Sequence, residues 1–266
     1  MCSKKFNNPA LRAFTLAEVL ITLGIIGIVA AMTLPTVINN ARNKEHQAKF
    51  KQAYSLAYQA VLMMGQDDPE LWQTYCAKNS NSEVNSNRDK DYSFIRDFSR
   101  QFQTSAVHEK DTRNLQTLGY KQEYFYTSTN GKKRFNTDSH NNGAFVGKNG
   151  MIVFSSGCWW ANGLDFVIDT NGLKGPNKFG YDVFYFQIAK NNQLLPSSIN
   201  SKFSGNGSDS AGCCTLAGDS SGGGMCNSEY FGGSVSDNGS ACSRFALMDA
   251  YPGDEGRPYW KNLPTP

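Results

Sequence analysis

A single acidic side chain lies where an ionisable group is costly. Glu18 falls near the start of an apolar run that begins at Phe14, and no charged residue occurs between Val19 and Ala41. A carboxylate inside an apolar membrane segment costs about 2.5 kcal/mol or more. Such a group is tolerated when a cation neutralises it, and it otherwise takes up a proton. The sequence therefore predicts a cationic partner for Glu18.

The apolar run is long enough to cross a membrane. A helix from Phe14 to Leu34 would be about 31 Å long, and it follows a basic segment, residues 1–13. A secretory signal peptide that is cut near Ala30 would explain the run and its basic start. A plain membrane anchor would explain them equally well. Neither interpretation explains Glu18.

Cleavage between Ala13 and Phe14 would supply the missing cation. It would create an amino terminus four residues before Glu18, and the new ammonium group could neutralise this carboxylate, most usefully between neighbouring subunits. The segment Ala13-Phe14-Thr15-Leu16-Ala17-Glu18, followed by an apolar helix, resembles the processing signal of type IV prepilins and type II secretion pseudopilins. Pro35 also matches a helix-kinking proline of that family. This chain has Ala13 where the family usually has Gly.

The resemblance implies a processing step and a set of partners. In this family a prepilin peptidase removes the leader, here residues 1–13, and N-methylates the exposed residue, here Phe14. Glu18 would then pair with the amino terminus of an adjacent subunit. The other implied partners are further copies or paralogous pilin subunits, an assembly ATPase and a membrane platform. The implied location is the bacterial inner membrane, crossed once with the head outside the cytoplasm, and then a periplasmic or extracellular filament.

The helix is expected to continue past Pro35 in an amphipathic form. Its apolar positions lie on one helical face. They are Phe50, Tyr54, Ala57, Val61 and Met64. Gly65 and the acidic residues before Pro69 predict the end of the helix. We therefore expect residues 14–34 to span the membrane, residues 36–65 to form the amphipathic half, and residues 66–266 to form an exported globular head.

Short apolar runs between turn residues predict strands in the head. The run Met151–Phe154 follows Asn149-Gly150, a hairpin signal, and Phe166–Ile168 and Val183–Phe186 are further predicted strands. A short helix is predicted within Asp91–Phe102. The expected fold class is α+β and pilin-like, with an antiparallel sheet packed on the long helix and disulfide-stapled Gly/Ser-rich loops.

The cysteines predict an oxidising compartment. Loss of the leader removes Cys2 and leaves an even number in the head. These six are Cys76, Cys158, Cys213, Cys214, Cys226 and Cys242. Disulfides are expected there, and their connectivity stays open. The paired spacing that is typical of zinc sites is absent from the sequence.

One segment of the head has residues that could hold calcium. Asp165, Asp169, Asn171 and Asp182 supply hard oxygen ligands, and Gly172 allows a tight turn. The spacing is not that of an EF-hand, and Asx-Gly turns look the same without a metal. The surrounding stretch, residues 166–184, also resembles one that links two sheet strands in many pilin-like heads. Both interpretations of the segment remain open, and no other cofactor is expected.

Charge excludes general nucleic-acid binding. The 26 basic side chains fall to 23 when Lys4, Lys5 and Arg12 leave with the leader, which matches the 23 acidic ones. The sequence therefore predicts a non-enzymatic structural subunit of a type IV pilus or type II secretion pseudopilus-like filament. The competing interpretation is a membrane-anchored exported enzyme or ligand-binding protein with a pilin-like leader. That protein would have a deep polar pocket with clustered titratable groups in its head.

Overall fold

The computed structural model describes residues 14–76, 93–108, 143–157, 163–175, 177–189, 191–196, 226, 242–254 and 256–263. The helices in these ranges are α1 (Leu16–Asp67), α2 (Leu71–Cys76), α3 (Ser93–Ser99) and α4 (Ser243–Met248), with 3₁₀ turns at Gly172–Lys174 and Trp260–Asn262. The strands are β1 (Thr104–His108), β2 (Ala144–Gly147), β3 (Ile152–Gly157), β4 (Gly163–Asp169), β5 (Val183–Ala189) and β6 (Leu194–Pro196). The chain divides into two compact units, residues 1–42 and residues 43–266, and we call the second unit the head.

The long N-terminal helix is the largest element, and it ends close to the predicted position. Helix α1 runs through Pro35 without a break and ends at Asp67, two residues beyond the expected end. Asp68 follows α1 and precedes Pro69, a position that disfavours helical backbone. Gly65 does not end the helix. It lies inside α1, where a Cβ atom would come within 3.2 Å of the Asn192 side chain.

The six strands form one antiparallel sheet in the described part of the head. They lie in chain order, β1-β2-β3-β4-β5-β6, so each strand pairs with the strand that precedes or follows it in the sequence. The predicted Asn149-Gly150 turn joins β2 to β3, and Gly150 has the positive φ of 85° that such turns need. The three strands that the sequence predicted are confirmed as parts of β3, β4 and β5. The α+β class is therefore confirmed.

Both faces of the central strands are buried, so their sequences read as continuous apolar runs. On one face, Phe166 of β4 and Phe184 of β5 belong to the main core, which also contains Phe50 and Val61 of α1. The other face has a second, smaller cluster. It consists of Ala144, Ile152, Phe154, Val167, Phe179, Val183 and Tyr185. The predicted amphipathic face of α1 is confirmed, because all its members are buried except the half-buried Tyr54.

Helix α1 and strand β5 run in the same direction through the head. The ring of Phe50 lies 4.5 Å from that of Phe184, near the start of β5. Further along, Gly65 contacts Asn192, which lies just after the end of β5. The connection between β4 and β5, residues 170–182, therefore lies at the end of the head where α1 has residues 43–50. We call this end the basal pole.

The C-terminal segment closes the core at the basal pole. The Trp260 ring lies 5.4 Å from the Phe50 ring and 5.9 Å from the Phe184 ring. Its indole N–H donates to the carbonyl oxygen of Ala246, at 2.9 Å. The Asn43 side chain donates to the carbonyl oxygen of Leu263, at 3.5 Å. These bonds hold the segment against the first turns of α1 within the head.

Candidate functional site: the apolar helix and the head loops

The N-terminal part of α1 presents apolar side chains on every side. Ile26 and Met32 are 62% and 75% exposed, Phe14 just before the helix is 84% exposed, and the other large apolar side chains up to Ile38 are also exposed. This segment is long and apolar enough to cross a membrane, a property that it shares with signal sequences. Burying a large apolar side chain away from water is favourable by about 1.5–3 kcal/mol, and each exposed one lacks this contribution. Burial of this segment in lipid or against other apolar surface would therefore be favourable.

Glu18 has a local structural role that the sequence analysis missed. Its carboxylate Oε2 accepts hydrogen bonds from the Thr15 backbone N–H, at 2.8 Å, and from the Thr15 hydroxyl, at 2.9 Å. In return, the Glu18 N–H donates to the Thr15 hydroxyl oxygen, at 3.3 Å. Together these bonds form a capping box, in which two residues three apart satisfy each other's backbone donors. The Thr-x-x-Glu spacing was the signal that could have predicted it.

The capping box fixes where the helix begins and leaves part of the carboxylate unused. Helix α1 begins at Leu16, directly after the capping residue Thr15. Phe14, the predicted mature first residue, therefore lies outside the regular helix. Both bonds to the carboxylate use Oε2, and Oε1 accepts none within the described residues. An additional donor could therefore bind Glu18 without breaking the cap.

The other polar side chains inside the apolar segment bond to their own helix. The Thr22 hydroxyl donates to the Val19 carbonyl oxygen and the Thr33 hydroxyl to the Val29 carbonyl oxygen, both at 2.9 Å. Such back-bonding removes the cost of a bare hydroxyl in an apolar medium. Glu18 remains as the charged group that this segment has to accommodate. The predicted kink at Pro35 and the cleavage at Ala13 remain predictions, and Ala13 lies outside the described residues.

The connection between β4 and β5 is held by two buried carboxylates. Asp169 accepts from the N–H groups of Asn171, at 3.0 Å, and Gly172, at 2.7 Å. Asp182 accepts from the N–H groups of Asn177, at 2.8 Å, and Lys178, at 2.7 Å. Asp169 thus forms an Asx turn at the start of the loop, whereas Asp182 bonds back to backbone N–H groups four and five residues before it. These bonds give both residues a structural role that needs no metal.

The structure brings only part of the predicted calcium set together. Asp169, Asn171 and Asp182 share the loop, whereas Asp165 lies four residues before Asp169 on β4, about 13 Å away at the usual strand rise. The Asn171 amide N–H donates to the carbonyl oxygen of Gly175, at 3.0 Å. Its amide oxygen is buried without a hydrogen-bond partner among the described residues. No group of three or more His, Cys, Asp or Glu side chains in the described ranges could hold a metal ion. Calcium remains a prediction.

Asp165 is a buried acid on the face of the sheet that holds the second cluster. It lies opposite Gln187 of β5, and one of its carboxyl oxygens has no hydrogen-bond partner in the described part of the chain. Burial raises the pKa of Asp165 to about 8, and a hydrogen bond with Gln187 opposes this shift only in part. Burial likewise raises the pKa of Asp182 to about 6, against the lowering effect of its backbone hydrogen bonds. Burial therefore favours the protonated, neutral form of Asp165.

The structure confirms part of the disulfide prediction. Cys226 is bonded to Cys242, immediately before α4. Cys76, at the end of α2, is also disulfide-bonded, and its partner is not among the described residues. Cys158, Cys213 and Cys214 lie outside the described residues. Closing a loop of this kind stabilises a fold by about 2–4 kcal/mol.

Comparison with known proteins identifies no relative. No protein-family model, no curated protein and no solved structure matches this chain. Its function therefore has to be argued from its own residues and geometry.

Proposed function

We propose that this protein is a structural subunit of a type IV pilus or type II secretion pseudopilus-like filament. In this proposal a prepilin peptidase cuts between Ala13 and Phe14 and methylates the new amino terminus. The subunit is anchored in the inner membrane until it is polymerised through the apolar part of α1. The observation that carries the proposal is an apolar segment, residues 14–38, whose large apolar side chains are exposed and whose only charged side chain, Glu18, closes the cap at its N-terminal end.

The exposed apolar surface supports polymerisation as well as membrane insertion. A carboxylate that lies inside lipid without a cation costs about 2.5–3.5 kcal/mol in a translocon-inserted helix. The capping box offsets part of that cost, because it satisfies Oε2, but it supplies no positive charge. A neighbouring subunit's Phe14 ammonium group would supply both the charge and a donor for Oε1.

Small residues along the same segment support close helix packing. A Cβ atom on Gly24 or on Gly27 would meet nothing within 4 Å. These glycines and Ala31 are spaced three and four residues apart, so they lie along one side of the helix. Small residues with this spacing let helix backbones approach each other in apolar surroundings.

The proposal is tested by following the chain in cells with and without a prepilin peptidase. We expect the protein in the sheared filament fraction, shortened by the thirteen leader residues, only when the peptidase is present. Full-length chain should remain in the membrane when the peptidase is absent. A soluble protein that is cut near Ala30 would contradict the proposal, and so would an uncut membrane protein that never enters filaments.

A further inference from the structure

The described charges of the head are unevenly distributed between its two ends. Beyond its last turn at Asp67, α1 is followed by Asp68 and Glu70 at the far end of the head. At the basal pole the exposed charged groups are mostly lysines. They are Lys44 on α1, Lys148 in the β2–β3 turn, Lys174 in the β4–β5 loop and Lys261 in the C-terminal segment.

Separate contacts place these lysines at the same end of the head. A side chain on Gly172 would overlap the carbonyl oxygen of Gly150, so the turn that carries Lys148 touches the loop that carries Lys174. The Tyr259 hydroxyl donates to the carbonyl oxygen of Gly180, which joins that loop to the segment that carries Lys261.

The α1 side of the basal pole is close to the same loop. The Lys49 hydrogen bond and charge hold the pKa of Glu45 below its ordinary value, and the charge of Lys174 adds to this effect. Lys174 therefore lies within electrostatic reach of α1.

Most of the acidic side chains at the basal pole take part in ion pairs or hydrogen bonds. Glu45 forms an ion pair with Lys49, at 2.7 Å. Asp249 accepts from the Trp260 backbone N–H, at 3.1 Å, and from the Gln47 side chain, at 3.4 Å. In the neighbouring turn the exposed Asp254 and Arg257 carry opposite charges. The buried Asp169 and Asp182 bond to backbone N–H groups of their own loop. These bonds leave the carboxylates charged, but among the described residues the four exposed lysines of this pole outnumber its two exposed carboxylates, Glu45 and Asp254.

An exposed apolar residue lies among the lysines. Leu173, between Gly172 and Lys174, is 52% exposed. Gly172 has a positive φ of 63° and leaves no room for a side chain, so the turn that displays Leu173 is fixed in place. At a membrane surface, an apolar side chain inserts at the boundary between lipid headgroups and acyl chains, while neighbouring lysines attract anionic headgroups.

From these contacts we infer that the basal pole is a docking surface for anionic phospholipid headgroups, with Leu173 inserted between them and Lys148, Lys174 and Lys261 around it. The inference rests on the proposed function, because it requires the apolar part of α1 to lie in the bilayer. Glu45, at the basal pole, lies only seven positions after Ile38, in the apolar part. A separation this short keeps the head close to a bilayer that holds the apolar segment.

The test uses the full chain in vesicles, with an environment-sensitive dye on a Leu173→Cys substitution in a Cys2→Ser background. The Cys2→Ser chain alone measures labelling at other cysteines. We expect a blue shift in vesicles that contain phosphatidylglycerol, no shift in pure phosphatidylcholine, and loss of the shift near 1 M salt, where the Debye length is about 3 Å. Each lysine near an anionic surface contributes roughly a fivefold factor in binding. Changing Lys148, Lys174 and Lys261 to Gln should therefore weaken docking by about a hundredfold.

A matched control and two contrary outcomes make the test decisive. Changing Arg96, Arg100 and Arg244 to Gln removes the same charge from other exposed or half-exposed positions of the head, and it should leave the dye shift intact. An equal shift in both lipids, or an unchanged shift in the lysine variant, would overturn the inference. So would a shift that grows with the protein-to-lipid ratio, because it would report a second copy of the chain. Flotation with the vesicles is measured in parallel: failure to float contradicts the proposed membrane insertion, whereas flotation without a dye shift contradicts only the docking surface.

Discussion

The charge of Glu18 and its capping role can be separated by substitution. Glu18→Gln keeps a side chain that can close the capping box but removes the negative charge. Glu18→Ala removes both functions. Thr15→Ala removes the hydroxyl that caps the Glu18 N–H and leaves the charge in place. These three variants therefore distinguish a residue that pairs with an ammonium group from one that only starts a helix.

The expected magnitudes differ enough to decide between the two roles. Loss of the capping hydroxyl costs about 1 kcal/mol and frays one turn of an exposed helix end. Removal of one partner from a buried, hydrogen-bonded charge pair costs about 2–5 kcal/mol per subunit contact. We therefore expect Glu18→Gln to reduce polymerisation at least about 30-fold, and Thr15→Ala to reduce it by about fivefold or less. Membrane insertion should not suffer in Glu18→Gln, because the segment becomes less polar.

The assay compares the amount of each variant in sheared filaments with the amount in the membrane fraction. Glu70→Gln is the matched control, because it makes the same chemical change at an exposed position that α1 does not include, and it should assemble normally. Normal filaments from Glu18→Gln, together with poor filaments from Glu18→Ala and Thr15→Ala, would refute the charge pairing. Glu18 would then be only a helix cap.

Three further predictions concern the stability of the head, measured as thermal unfolding of the detergent-solubilised chain. Because burial raises the pKa of Asp165 to about 8, the folded head holds this proton more tightly than the unfolded chain does. Its contribution to stability should fall by up to about 1.4 kcal/mol per pH unit as the pH rises from about 7, above the pKa of Asp182, to about 8, and it should level off at higher pH. Asp165→Asn should abolish this slope, and an unchanged slope would contradict the assignment. Gly172→Ala should cost about 2 kcal/mol or more, because it combines a positive φ with a clash against the Gly150 carbonyl oxygen. Gly253→Ala is the control, with a positive φ in open space, and equal losses in the two variants would exclude the clash. Asp182→Asn should lower the melting temperature even in a chelator, since its bonds go to backbone N–H groups. A melting temperature that rises with calcium only in the unsubstituted chain would establish the predicted calcium site.

Periodicity was sufficient to predict the long helix and the central strands. The apolar run after Phe14 and the stripe that contains Phe50 and Val61 form one helix, as predicted. Strands β4 and β5 could be predicted because both faces of their central residues are buried, which gives the apolar runs Phe166–Ile168 and Val183–Phe186. The short helix predicted within Asp91–Phe102 is observed as Ser93–Ser99, with Phe94 and Phe98 buried as expected.

Elements that depend on contacts distant in sequence were not predicted. Strand β1 alternates between half-buried and exposed residues, so its sequence has no apolar run, and its pairing with β2 defines it. The disulfide between Cys226 and Cys242 could not be selected from six cysteines, because spacing does not determine connectivity. The sequence analysis grouped Asp165 with the loop acids because it lies close to them in sequence. Asp165 and Asp169 both lie on the extended strand β4, however, which keeps them apart, whereas a turn would bring residues at that spacing together.

The most direct test of the central claim is mass spectrometry of the amino terminus of the protein from the membrane fraction of its native cells. The account predicts a mature chain that begins at N-methylated Phe14, so that an ammonium group is available for the carboxylate of Glu18. A terminus at Met1, or at any residue beyond Glu18, would contradict it.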